Sequence, residues 1–185
     1  MTEVDLVRRL HEHRMWSSHK LLAAASQLSS EVLWKSFAIG QGSIWKSLLH
    51  LYAAEYVWLG ALLGDESPLT PGDLPTKIPG NQEGDNPIPT FARLTDDWRA
   101  LDARWQTYLD ELKADSLDDT VAKMVTAGPS TGKKMATRRG DVLLHVCTHA
   151  VYTSAQVVNM LRQAGVEKLP DLNLISLARQ QMVAT

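Results

Sequence analysis

Apolar residues recur at helical spacing in four long stretches of the chain. The clearest runs from about Thr90 to Lys113. There Phe91, Leu94, Trp98, Leu101, Trp105, Tyr108 and Leu112 alternate steps of three and four, and the opposite face is charged. The stretch from about Ser43 to Leu63 is apolar nearly all round, which predicts a helix at the centre of the core. Ser43 suits its N-cap and Gly64 its stop. Another long helix is predicted from Asp141, a candidate N-cap, to Gly165. The first stretch, about Glu3 to Leu28, is only loosely periodic (Leu6, Val7, Leu10, Trp16, Leu21, Leu22). Thr2 followed by Asp5 predicts a capping box there, and LLAAAS supports the helical reading.

The segments between these helices read differently. SSEVLWK predicts a short helical turn and FAIGQGS a loop. The connection from Gly64 to Thr90 carries six of the eight prolines, so it is neither a regular helix nor a central strand. A connection this long is expected to wrap over one end of the fold or to reach a neighbouring subunit. TVAKMVTAGPSTGKKMATRRG holds two β-prone runs around the turn-rich GPSTG and predicts a small hairpin. KLPDLNLISLARQQ predicts a short C-terminal helix after Pro170. Four long helices with little strand predict an all-α four-helix bundle, one domain over residues 1–185.

A chain of 185 residues is long enough for a substantial core, and 44% apolar content suits a soluble protein. A formal net charge of -2 gives no electrostatic pull toward nucleic acid. The charged N-terminus lacks a signal core, and no apolar run reaches the roughly 20 residues that span a bilayer. A cytoplasmic protein is expected, with neither nucleic acid nor membrane as partner. The lone Cys147 excludes an intrachain disulfide and suits a reducing compartment.

The candidate chemistry is histidine chemistry. His145 and His149 stand one turn apart on the last long helix, so their rings leave the same face. His50 lies in the apolar Ser43–Leu63 helix. Burying imidazoles without partners is costly, and a divalent metal between the helices would satisfy them. The bland alternative is a set of core histidines hydrogen-bonded to backbone or to one another. Glu55, five residues from His50, points elsewhere and is expected to pair with a cation on the first helix. Cys147 is read as a buried small apolar residue. His11, His13 and His19 fall in charged sequence and are expected to face solvent. The six tryptophans are expected mostly in the core, and Lys133, Lys134, Arg138 and Arg139 on a solvated hairpin.

The order and spacing of these features resemble the DinB-like (DinB/YfiT-like) family of four-helix bundles. The marks are the tryptophan-bearing first helix with HKLLAAASQLSSEVLW, then His50, Ala54, Glu55 and Trp58. Leu143, Leu144, His145, His149 and Gln156 follow on the last core helix. The resemblance implies a divalent metal, often Ni or Zn, held by three histidines. His50 matches the first ligand and His149 the second. The third falls at Thr153, where this sequence departs from the family. Either His145 supplies the missing nitrogen from one turn earlier, or Thr153 holds a water. The resemblance further implies a thiol transferase or hydrolase using a low-molecular-weight thiol such as mycothiol or bacillithiol. Gln156 would hydrogen-bond the ligand. The alternative is a non-catalytic bundle with a degenerate site that binds a small molecule. A homodimer through the second helix and LNLISLARQQM is expected on either reading.

Overall fold

The computed structural model describes residues 1–126 and 128–183. Residue 127, in the expected hairpin, and residues 184 and 185, at the end of the expected domain, lie outside the described residues. The elements in order are α1 (Glu3–Ala25), α2 (Ser30–Trp34), α3 (Ile44–Leu62), α4 (Phe91–Glu111), a 3-10 turn (Ala114–Asp118), β1 (Thr120–Met124), β2 (Lys134–Arg138), α5 (Arg139–Gln163) and α6 (Leu174–Val183). The four long helices form the expected bundle, with α5 packed against both α1 and α3.

Local chemistry accounts for most helix ends. Thr2 and Asp5 form the reciprocal capping box, Ser43 accepts from the Lys46 amide, and Thr90 accepts from Arg93. Several boundaries differ from expectation by two or three residues, among them the end of α4 at Glu111 rather than Lys113. The first helix stops at Ala25, three residues early, with Ser26 as its cap. The last long helix begins at Arg139, ahead of Asp141. Asp141 is drawn instead into an ion pair with Arg138 at 3.0 Å, and position 138 carries no side-chain cap. The hairpin is present: β1 and β2 pair antiparallel, with Ala122 opposite Ala136.

The core is built from Leu48, Leu51, Leu59, Leu94, Trp98, Leu101, Trp105, Leu143, Val157 and Leu161, all fully or nearly fully buried. Trp34 departs from the tryptophan expectation at 56% exposure. The loosely periodic first helix also departs from its reading: Leu6 is exposed, whereas His11 and His13 are buried. His11 donates from Nε2 to the Leu143 carbonyl at 3.2 Å, and its Nδ1 accepts from Arg14 Nε at 3.3 Å. His13 Nε2 lies 2.7 Å from the Leu172 carbonyl. Of these three histidines of α1, only His19 is exposed, and it reaches Asp102 at 2.7 Å.

The proline-rich connection folds down onto α3. Buried Asp73 accepts from the backbone amides of Gly80 (2.7 Å) and Gln82 (2.9 Å), and Gln82 accepts from Ile88 (2.6 Å). Gly80 adopts φ +84, and a Cβ there would stand 2.6 Å from the His50 backbone. Only glycine meets both conditions. Gly80→Ala is expected to cost about 1–3 kcal/mol and to expose the loop to limited proteolysis. A cleavage pattern identical to wild type would show that this contact does not hold the loop down.

Candidate functional site

His50 is placed by α3 and His149 by α5, and their Nε2 atoms stand 3.1 Å apart. Pro79, brought in by the folded connection, accepts from His50 Nδ1 at 2.8 Å. A carbonyl only accepts, so the proton sits on Nδ1 and His50 Nε2 presents a bare lone pair toward His149. Burial lowers the pKa of His50. Burial, followed by the proximity of His50 and His145, lowers His149 to about 4. Both rings are therefore neutral near pH 7, the form that binds metal. Two imidazole nitrogens sharing one ion at about 2.0–2.1 Å in tetrahedral geometry stand roughly 3.3 Å apart, so this pair fits a divalent ion.

The other anticipated residues are less closely joined. His145 lines the same cavity, its ring 5.9 Å from that of His149 and edge-on to Trp58 at 5.3 Å. Thr153 is buried, with Oγ1 3.5 Å from His149 Nε2. Among the described residues no three His, Cys, Asp or Glu side chains are grouped to hold an ion. Gln156 lies two turns beyond His149 and away from the cavity wall. Its Oε1 is 2.8 Å from where a Cβ on Gly40 would stand. Cys147 is buried and its thiol is pushed up to about 12 by burial, which removes it as a nucleophile. Glu55 points away from the pair and meets the cation expected on the first helix, Arg14. Three of the basic residues around the hairpin face acids: Lys134 with Glu66 at 2.5 Å, Arg138 with Asp141 at 3.0 Å, and Arg139, at the start of α5, with Asp119 at 3.3 Å.

The histidine pair opens into a cavity of about 340 Å³. Its walls are Ala54, Val57 and Trp58 of α3, Ile78 and Pro79 of the connection, and Val121, Lys123 and Met135 of the hairpin. Lys123 was not anticipated. Strand alternation turns it inward with Val121. Its ammonium lies 5.2 Å over the Trp58 ring and donates to the Met124 carbonyl at 3.0 Å. Burial lowers its pKa. The period-two pattern of VAK was the one signal that marked it. A mostly apolar pocket with a cation and two facing imidazoles is suited to hold a small anionic or thiol-bearing molecule.

No helix of the described residues is long and apolar enough to cross a membrane. No curated protein matches the chain. The family model described as DinB family matches residues 1–180.

Proposed function

The chain belongs to the DinB family, and from that premise we propose that it is a metal-dependent enzyme whose His50 and His149 hold one divalent transition ion, Ni or Zn. The observation that carries this reading is the 3.1 Å approach of the two Nε2 atoms, one of them fixed as a lone pair by the Pro79 carbonyl. When bound, such an ion lowers the pKa of an adjacent water or thiol and supplies a nucleophile near neutral pH. The chain's own residues do the rest. Pro79 orients the His50 ring, as outer-shell carbonyls do for metal-binding imidazoles. Trp58, Val57 and Val121 exclude bulk water from the cavity. Lys123 draws in a negatively charged group of the substrate. The small-molecule substrate proposed is an electrophile, attacked by a low-molecular-weight thiol of the mycothiol or bacillithiol type. Gln156, which lies outside the cavity wall, is given no contact with that thiol, and a homodimer is proposed through the exposed side of α6.

A second reading is favoured by Thr153, which stands 3.5 Å from His149 where a third nitrogen would be needed. On it, His149 donates its Nε2 proton to His50, no ion is held, and the cavity binds a small molecule without catalysis. Titration of untagged protein with Zn2+ or Ni2+ separates the two. The first reading expects roughly one ion per chain and a loss of more than about 100-fold in affinity for His50→Ala and for His149→Ala. Thr153→His is expected to tighten binding. Equal affinity in wild type and both alanine variants would overturn the metal reading.

A further inference from the structure

The hairpin turns one face onto the histidine cavity. Val121 and Lys123 of β1 line it together with their cross-strand partners Thr137 and Met135 of β2. Lys123 carries the one charge on that face, at 8% exposure beside Val121 at 5%. We propose that this cavity takes a small organic carboxylate, its charged end seated on the Lys123 ammonium and its apolar body against Trp58, Val57 and Val121. This rests on the cavity being the substrate site, and it narrows the proposed electrophile to the anion of an organic acid.

The ammonium lacks a counter-charge. Its Nζ donates to the Met124 carbonyl at 3.0 Å and lies 5.2 Å over the Trp58 ring, and both of those residues line the cavity. The contacts that fix the charge therefore place it in the cavity wall. Among the described residues it forms no ion pair, whereas Lys134, on the opposite face of the hairpin, is matched to Glu66. A carbonyl and a ring face do not neutralise a cation, and burying one without an acid is costly. Strand alternation would accept a second apolar residue beside Val121 without that cost. Of the three donors an ammonium offers, one is spent on Met124. A carboxylate supplies the missing negative charge and accepts from the others, and the apolar walls strengthen the attraction by keeping the local dielectric low. The volume, about 340 Å³, lies near the lower end of the range of about 300–1,000 Å³ typical of ligand pockets, which suits a small acid.

Calorimetric titration of the metal-free full chain with cyclohexanecarboxylate, beside the neutral cyclohexanecarboxamide, tests the assignment. Without metal no ion can hold the carboxylate, so the outcome is independent of whether His50 and His149 take up Zn2+. The acid anion is expected to bind at least about tenfold tighter than the amide, the effect of a hydrogen bond between charged groups. Lys123→Met is expected to abolish that preference and to leave Tm equal or higher, because it removes an unpaired buried charge. A lysine kept only for the fold would lower Tm when replaced. Equal binding of acid and amide would reduce the site to an apolar pocket. A preference that survives Lys123→Met would place the carboxylate elsewhere. No binding at millimolar acid would leave the ammonium without a ligand of this class, and a Lys123→Met chain that loses several degrees of Tm, or does not fold, would mark the charge as structural. Each of these four results overturns the proposal.

Discussion

Replacing Glu55 with Ala is expected to destabilise the protein by about 3–5 kcal/mol, because it strands a buried guanidinium. The Arg14 and Glu55 side chains are both 1% exposed and directly paired. Glu55 Oε2 also accepts from Trp98 Nε1 at 3.0 Å, so one carboxylate oxygen ties α1, α3 and α4 together. Burial pushes the Glu55 pKa up to about 7, against the pull of Arg14. The pair is thus held against a large desolvation cost, and its contribution is specificity of packing more than net stability. The double replacement Arg14→Met with Glu55→Leu is accordingly expected to recover most of the loss. Urea midpoints of the two single variants and the double variant measure this. A Glu55→Ala cost below about 1 kcal/mol would show that Asp102, 3.8 Å from Arg14, suffices as its partner.

Acid is expected to destabilise the fold through His11. Its Nε2 donates to Leu143 and its Nδ1 accepts from Arg14, so a second proton would have no acceptor and would oppose a guanidinium. Burial first, and Arg14 second, hold its pKa well below 6.5. The sign follows directly. Below pH 6.5 the unfolded chain takes up a proton that the folded chain refuses, so stability falls as pH falls. Each such histidine contributes about 1.4 kcal/mol per pH unit across that window. Glu55, raised to about 7, acts in the opposite sense between pH 7 and 4.5, so the raw stability profile mixes both. The comparison with His11→Phe isolates the histidine. The variant is less stable at pH 7.5, and its deficit is expected to shrink progressively as pH falls below 6.5. A constant gap across that range would mean that His11 titrates normally.

The parts of this fold readable from the sequence are those set by local chemistry. The caps at Thr2, Ser43 and Thr90 and the period of α4 depend on residues within one or two turns of each other. The hairpin was readable for the same reason. The His50–His149 pair was readable because an apolar helix makes its histidines conspicuous, and because the family resemblance named the two helices that meet. His11 and His13 were misread since their neighbours, Arg8, Arg9 and Glu12, are charged. What buries them is distant, the Leu143 and Leu172 carbonyls. Pro79 was missed because its contribution is a backbone carbonyl, which no side-chain pattern reports. The identity of the cation for Glu55 depended on helix rotation, which the weak periodicity of α1 left open.

The histidine cavity divides labour by segment. Its nitrogens sit on two rigid bundle helices, whereas much of its wall comes from the proline-rich connection and the hairpin. Such excursions accept insertions and altered lengths far more readily than packed helices do. The shape of the cavity can therefore vary by editing those two segments, provided Pro79 and Gly80 keep their contacts with His50, while the bundle that carries the two histidines stays as it is.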